Sequence, residues 1–104
     1  MGMTKEGRIK LSVDRVLQRV QSANLARPDV WWFKPVQAGF GTRALDYIGC
    51  IKGRFFAIET KRPGEYLTRF QKLTALQMML AGAAVWIITE YETVEAFERW
   101  LERQ

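Results

Sequence analysis

The sequence predicts a single α/β domain spanning residues 1–104, a mixed sheet flanked by helices in the order α-β-β-β-α-β-α. Three observations lead there. Lys52-Gly53 joins the runs Cys50-Ile51 and Arg54-Phe55 as a two-residue hairpin connection, and its glycine tolerates the positive φ such turns require. Beyond it, an apolar strand, a helical pattern and a second apolar strand form a β-α-β unit, which normally pairs its strands in parallel through a right-handed crossover. Amphipathic helical patterns stand at both ends. At 104 residues the chain can bury a real core but is too short for separate catalytic and binding domains, and it holds no internal repeat.

Ile9, Val13, Val16, Leu17 and Val20 recur at helical spacing, with Lys10, Arg15, Gln18 and Arg19 off the stripe, so residues 5–22 read as a helix ended by Asn24 to Pro28. Its stripe is aliphatic and narrow, which favours docking on a core over lying on a membrane. Val30-Trp31-Trp32-Phe33 is apolar on both faces, as in a strand that is central in its sheet or covered by a second subunit. Trp31 and Trp32 in that run read as core or interface before base-stacking platform. Gln37 to Thr42 reads as a flexible loop, and its lone Gly-x-Gly is weak evidence for nucleotide binding.

Arg62 to Tyr66 is turn-rich, and Thr68-x-x-Gln71 is a capping box that opens a helix reaching Leu80, with Gly82 as its stop. Phe70, Leu73, Leu76 and Leu80 are expected to form its core face, and Ala83 to Ile88 a buried strand. Thr93 is the candidate cap of a last helix whose Val94, Phe97, Trp100 and Leu101 face inward.

The hairpin also sets the chemistry. If Ile51 opposes Arg54, Ile48 opposes Ala57 and Asp46 opposes Glu59, because paired residue numbers keep a constant total. Opposed Cβ atoms lie about 4.5–5.5 Å apart, close enough for two carboxylates to share a divalent ion. Lys61, two residues past Glu59, points to the same face. Two carboxylates so placed repel unless a cation sits between them, a grouping suited to metal-dependent phosphodiester hydrolysis. Glu-x-Lys on a strand is more often a surface ion pair. Here Phe55 to Ile58 make both faces of the strand apolar, so Glu59 and Lys61 emerge at the end of a buried strand.

Absences narrow the possibilities. With no histidine, imidazole bases, Ser-His triads and histidine-centred metallonucleases are excluded. The single cysteine, Cys50, allows no internal disulfide or cysteine zinc site and reads as a small buried residue in a reducing cytosol. No apolar run is long enough to span a membrane and no signal peptide is present, so a soluble cytoplasmic protein is expected. Sixteen basic against eleven acidic residues, net +5, favour a polyanionic partner.

Element order together with Asp46, Glu59 and Lys61 resembles the PD-(D/E)xK nuclease superfamily, whose fold is restriction-endonuclease-like. The stretch Glu59-x-Lys61-x-Pro63-Gly64-x-x-Leu67-Thr68-x-x-Gln71, then Leu80-x-x-Gly82-Ala83, with Glu6-x-x-Ile9-x-x-x-Val13, looks like its VRR-NUC branch, and the likeness covers nearly the whole chain. The sequence departs from the superfamily pattern at Leu45, where proline is usual, a position that shapes backbone rather than chemistry. The resemblance implies a magnesium- or manganese-dependent endonuclease that acts as a homodimer on branched DNA such as Holliday junctions, in a bacterial or phage-infected cell. It implies Asp46, Glu59, the Thr60 carbonyl and Glu6 as metal ligands, with Lys61 and Gln71 completing the catalytic site. Gln71 is equally explained as the return partner of the capping box, and Glu6 as an acidic residue favoured at a helix N-terminus.

Lys34, Arg43, Arg62, Arg69 and Lys72 lie in or beside the flanking loops as candidate phosphate contacts, or else as solvated surface. Two other functions stay open: a non-catalytic DNA-binding module acting through a partner, and a nicking or restriction-type nuclease with sequence preference.

Overall fold

The computed structural model describes residues 4–22, 29–35 and 44–104. Its elements are α1 (Lys5–Ser22), β1 (Val30–Phe33), β2 (Tyr47–Ile51), β3 (Arg54–Thr60), α2 (Arg69–Leu80), β4 (Ala84–Ile88) and α3 (Tyr91–Glu102). The helix end expected at Asn24 to Pro28 and the loop expected at Gln37 to Thr42 lie outside the described residues. No described helix is long and apolar enough to cross a membrane.

The four strands form one mixed sheet in the order β1-β2-β3-β4. Lys52 and Gly53 both take positive φ, 48° and 77°, the backbone of a type I′ turn, whose twist matches that of the strands it joins. The register follows: Ile51 opposes Arg54, Ile48 opposes Ala57, and Tyr47 opposes Ile58. β1 lies antiparallel to β2, and β4 lies parallel to β3 with α2 between them in sequence. β1 is therefore an edge strand, not the central one its two-sided apolarity allowed. β2 has its other neighbour in β3, and β4 takes the far side of β3.

One sheet face carries the main core. Phe56, Ile58, Tyr47 and Ile51 meet Ile9, Val13, Val16 and Leu17 of α1 and Val94, Phe97 and Leu101 of α3. Phe56, Trp86, Phe97 and Trp100 pack ring to ring at 5.6–6.1 Å between centroids, in the offset and edge-on arrangements aromatic quadrupoles favour. Arg19 of α1 and Glu98 of α3 form a hydrogen-bonded ion pair across the two helices. The opposite face holds a smaller cluster, where Ala57 and Leu45 meet Ala75, Met78 and Val85.

Three expectations change. Ala75 is the only buried residue of α2, and the apolar residues expected to be its core face, Phe70, Leu73, Leu76 and Leu80, are exposed. The helix packs through its small residue, and its leucines point outward. The last helix starts earlier than its sequence cap, with Glu90 at the N-cap and no side-chain cap bond, so Thr93 lies inside the first turn. Cys50, expected to be buried, is half-buried on the face that α2 shares.

Gly49 opposes Phe56, and a Cβ added there would overlap the tip of the Phe56 ring. That ring is fully buried against Phe97 and Trp100 and has nowhere to move. Gly49→Ala should therefore lower stability by roughly 1–3 kcal/mol, the usual cost of overpacking, read as a shift of the urea midpoint at unchanged slope.

Candidate functional site

β3 is buried over its last five residues, so Glu59, 4% exposed, and Thr60, 1% exposed, are carried inside the protein before the chain emerges. Pairing with β4 holds them there: Glu59 lies beside Ile87 and Thr60 beside Ile88, and the Lys61 N–H donates to the Ile88 carbonyl at 3.0 Å. A carboxylate in that position needs donors, and three elements supply them. From the residue before β2, the Asp46 N–H donates to Glu59 Oε1 at 3.1 Å, continuing the hairpin register by one residue. From the first turn of α2, Gln71 Nε2 donates to Glu59 Oε2 at 2.6 Å. Lys61 Nζ stands 3.9 Å from that oxygen and 3.8 Å from Glu65.

Gln71 closes the capping box that its sequence suggested and also bonds Glu59. Its backbone N–H donates to the Thr68 hydroxyl at 3.2 Å and its side-chain oxygen accepts the Thr68 N–H at 2.9 Å. That closes the capping box and leaves the amide NH2 for Glu59. The helix cap thus aims the group that orients the carboxylate.

The Asp46 carboxylate also bonds to the next residue of β3. Its Oδ2 accepts the Thr60 N–H at 3.0 Å and the Thr60 hydroxyl at 2.8 Å, and Lys10 Nζ of α1 lies 3.9 Å from the same oxygen. Asp46 precedes the first paired residue of β2, so pleat alternation does not hold its side chain over α2. Its charge also lies close enough to Glu59 to raise that carboxyl.

Lys10 was not singled out in the sequence, where it is one of several basic residues off the α1 stripe. Only the docking of α1 brings it to Asp46. Docking is fixed in part by buried Tyr47, whose hydroxyl lies 2.8 Å from Asp14 Oδ1 and 3.1 Å from the Lys10 carbonyl. Burial, reinforced by Asp14, pushes that phenol far above its usual range. Glu6 lies in α1 one turn before Lys10, and its side chain falls outside the described residues, as does Arg43.

The other basic candidates are dispersed. Lys34 pairs with Asp14 at 2.8 Å and stands over the Tyr47 ring, 5.4 Å from its centroid. Arg62 binds Glu65 at 3.1 Å, which holds that exposed carboxyl below its ordinary value. Arg69 and Lys72 are exposed on the first turn of α2 and line a shallow hollow with Phe70, Leu73 and Leu76.

The acceptor atoms gathered here are carboxylate oxygens. Among the described residues no three His, Cys, Asp or Glu side chains converge as a metal-holding group. Burial and, secondly, the Asp46 charge raise the Glu59 carboxyl to about 7, although the Asp46 N–H and Lys61 pull the other way. A nearby cation would relieve that strain on the ionised form. Compared with known proteins, the chain matches no family model, no curated protein and no solved structure.

Without divalent ions, folded protein keeps the Glu59 proton between pH 4.5 and about 7, whereas the unfolded chain loses it near 4.5. Unfolding then releases a proton, so stability should fall as pH rises through that window, by on the order of 3 kcal/mol, and level off above it. Urea unfolding in EDTA across pH 4–8 checks this; Glu59→Gln should remove the slope belonging to this window.

Proposed function

We propose that the protein is a metal-dependent DNA endonuclease of restriction-endonuclease-like fold, hydrolysing phosphodiester bonds in branched DNA such as four-way junctions. What carries the reading is the meeting of Asp46, Glu59, Lys61 and Gln71 at the end of β3, joined by the bonds of Gln71 and Asp46 to the two Glu59 oxygens. These are four of the six residues that the VRR-NUC likeness names. The antiparallel β1-β2-β3 run followed by a parallel β4 supports the same reading.

Asp46 and Glu59 would hold the metal, with the Thr60 carbonyl and Glu6 as the further ligands of the resemblance. A magnesium or manganese ion, when bound, supplies Lewis acidity at the scissile phosphate and an activated water. The rest falls to the chain. Thr60 and Lys10 hold one Asp46 oxygen. Gln71 and the Asp46 N–H orient Glu59 and favour its ionised form over the proton that burial would restore. Lys61, largely buried between Glu59 and Glu65, keeps a positive charge where the phosphorane gathers negative charge. Lys34, Arg62 and Lys72 can exchange carboxylate or water for backbone phosphates and register a duplex, and each such contact adds to the salt dependence of binding. A nuclease of this kind works as a homodimer in the cytoplasm of a bacterial or phage-infected cell, with one cutting site per strand.

A labelled four-way junction and a linear duplex of the same sequence test the proposal. Wild type should cut the junction with magnesium and not with EDTA, and Lys61→Ala should slow cutting about 10²–10³-fold, as loss of a transition-state charge contact does. Binding of both DNAs without cutting would replace the enzyme with a binding module. Cuts at fixed sequences in unrelated linear duplexes would replace branch selectivity with sequence preference. Independently of cutting, magnesium should raise the thermal midpoint of wild type at pH 8 and leave that of Asp46→Asn unchanged.

A further inference from the structure

Between β3 and α2 the chain makes a tight turn whose geometry follows from two residues. Pro63 presets the backbone at the first inner position, and Gly64 takes a positive φ, 81°, at the second. The Glu65 N–H then returns to the Arg62 carbonyl at 3.0 Å. The turn brings the side chains of its two outer residues together, and Arg62 Nε and Nη2 both donate to Glu65 Oε2, at 3.3 and 3.1 Å. The other carboxylate oxygen, Oε1, stands 3.8 Å from Lys61 Nζ.

One carboxylate thus bridges two cations. An Arg–Glu pair that merely closes a turn needs no third member, and Lys61 already has a carboxylate in Glu59, 3.9 Å away on its buried side. The same two cations, a guanidinium fork and a point-like ammonium converging on the two oxygens of one anion, form the arrangement in which proteins hold a phosphodiester by its two free oxygens. Glu65 is the member of the group whose charge opposes a polyanion. With it the three side chains carry one positive charge, and without it two. Lys61 links this anion position directly to Glu59.

We propose that the Glu65 carboxylate occupies, in the free protein, the seat of a DNA backbone phosphate, and that a phosphodiester entering the site displaces it and takes Lys61 and Arg62 in its place. The inference rests on the reading of the protein as acting on DNA, and adds to it a seat and a residue, Glu65, that the resemblance does not name. Glu65 leaves by turning its own side chain. The Pro63–Gly64 turn and its backbone bond keep Arg62 in place meanwhile, and Lys61 stays tied to Glu59. An exposed ion pair such as Arg62–Glu65 is weak enough for a polyanion to break. A phosphate that reaches Arg62 alone gains little by the exchange, whereas one that spans Arg62 and Lys61 replaces both contacts. The carboxylate therefore favours phosphates delivered beside Glu59 over those passing along the surface.

Binding of a labelled four-way junction in EDTA, followed by fluorescence anisotropy from about 50 to 200 mM potassium chloride, separates the exchange from cutting. Glu65→Gln keeps the shape of the side chain and should bind about three- to tenfold tighter than wild type at the low end, with a salt dependence steeper by up to about one ion. Glu102→Gln makes the same change in net charge at the end of α3 far from β4, about 18 Å along the helix, and should alter affinity less than about twofold. Adding Arg62→Gln to Glu65→Gln should remove the gain, and Arg62→Gln in otherwise native protein should cost less than it does there. Glu65→Gln binding no tighter than Glu102→Gln, or a gain that survives the loss of Arg62, would overturn the seat. Cutting in magnesium judges the nuclease separately. A junction cut by wild type but bound without regard to Glu65 removes the seat and leaves the nuclease. One bound with the expected dependence on Glu65 and Arg62 yet never cut leaves the seat and removes the nuclease, and no binding by wild type or Glu65→Gln overturns both.

Discussion

The burial of one carboxylate organises the rest of the molecule. An ionised Glu59 sealed from water would be prohibitive by itself, and the groups that make it tolerable come from the start of β2, the start of α2 and the residue that leaves β3. Each of those attachments constrains an element. Asp46 must follow the hairpin register to place its N–H, Gln71 must turn the first α2 turn toward the sheet, and Lys61 must leave β3 beside Ile88. Even with these donors Glu59 gives up its proton reluctantly, since burial and Asp46 outweigh Lys61.

The orientation of α2 follows from the same constraint. Gln71 cannot reach Glu59 unless its side of the helix faces the sheet, and residues one and two turns on, Ala75 and Met78, then face it too. Ala75 lets the helix approach closely, and the bulky residues are left outside. An exposed leucine row is thus a consequence of how the acidic site is held.

On the far side of the sheet the polar groups work differently. Tyr47, Asp14 and Lys34 link α1, β2 and the end of β1 in a chain of short contacts, and the Lys10 carbonyl joins it. The consequence is local but specific. With α1 anchored there, the Lys10 ammonium stands near the Asp46 oxygen that Thr60 already holds. The helix therefore contributes charge to the site without contributing a described ligand.

Residue order alone determined the features that depend on near neighbours. The Lys52-Gly53 turn sets a register by counting, and that register brings the Asp46 backbone to Glu59. Periodicity marked α1 over the residues it occupies, and the Thr68–Gln71 box marked where α2 begins. Periodicity does not tell which side of an amphipathic helix meets a sheet, because an apolar row satisfies either a core or a partner. Only the contacts of Gln71 and Ala75 decided that the leucines of α2 face out. Two-sided apolarity likewise could not tell a central strand from an edge, and the pairing of β2 and β4 with β3 put β1 at the rim. The direction of the Asp46 carboxylate and the arrival of Lys10 were equally out of reach. Both depend on groups brought together by docking across dozens of residues, and local sequence carries no record of such distances.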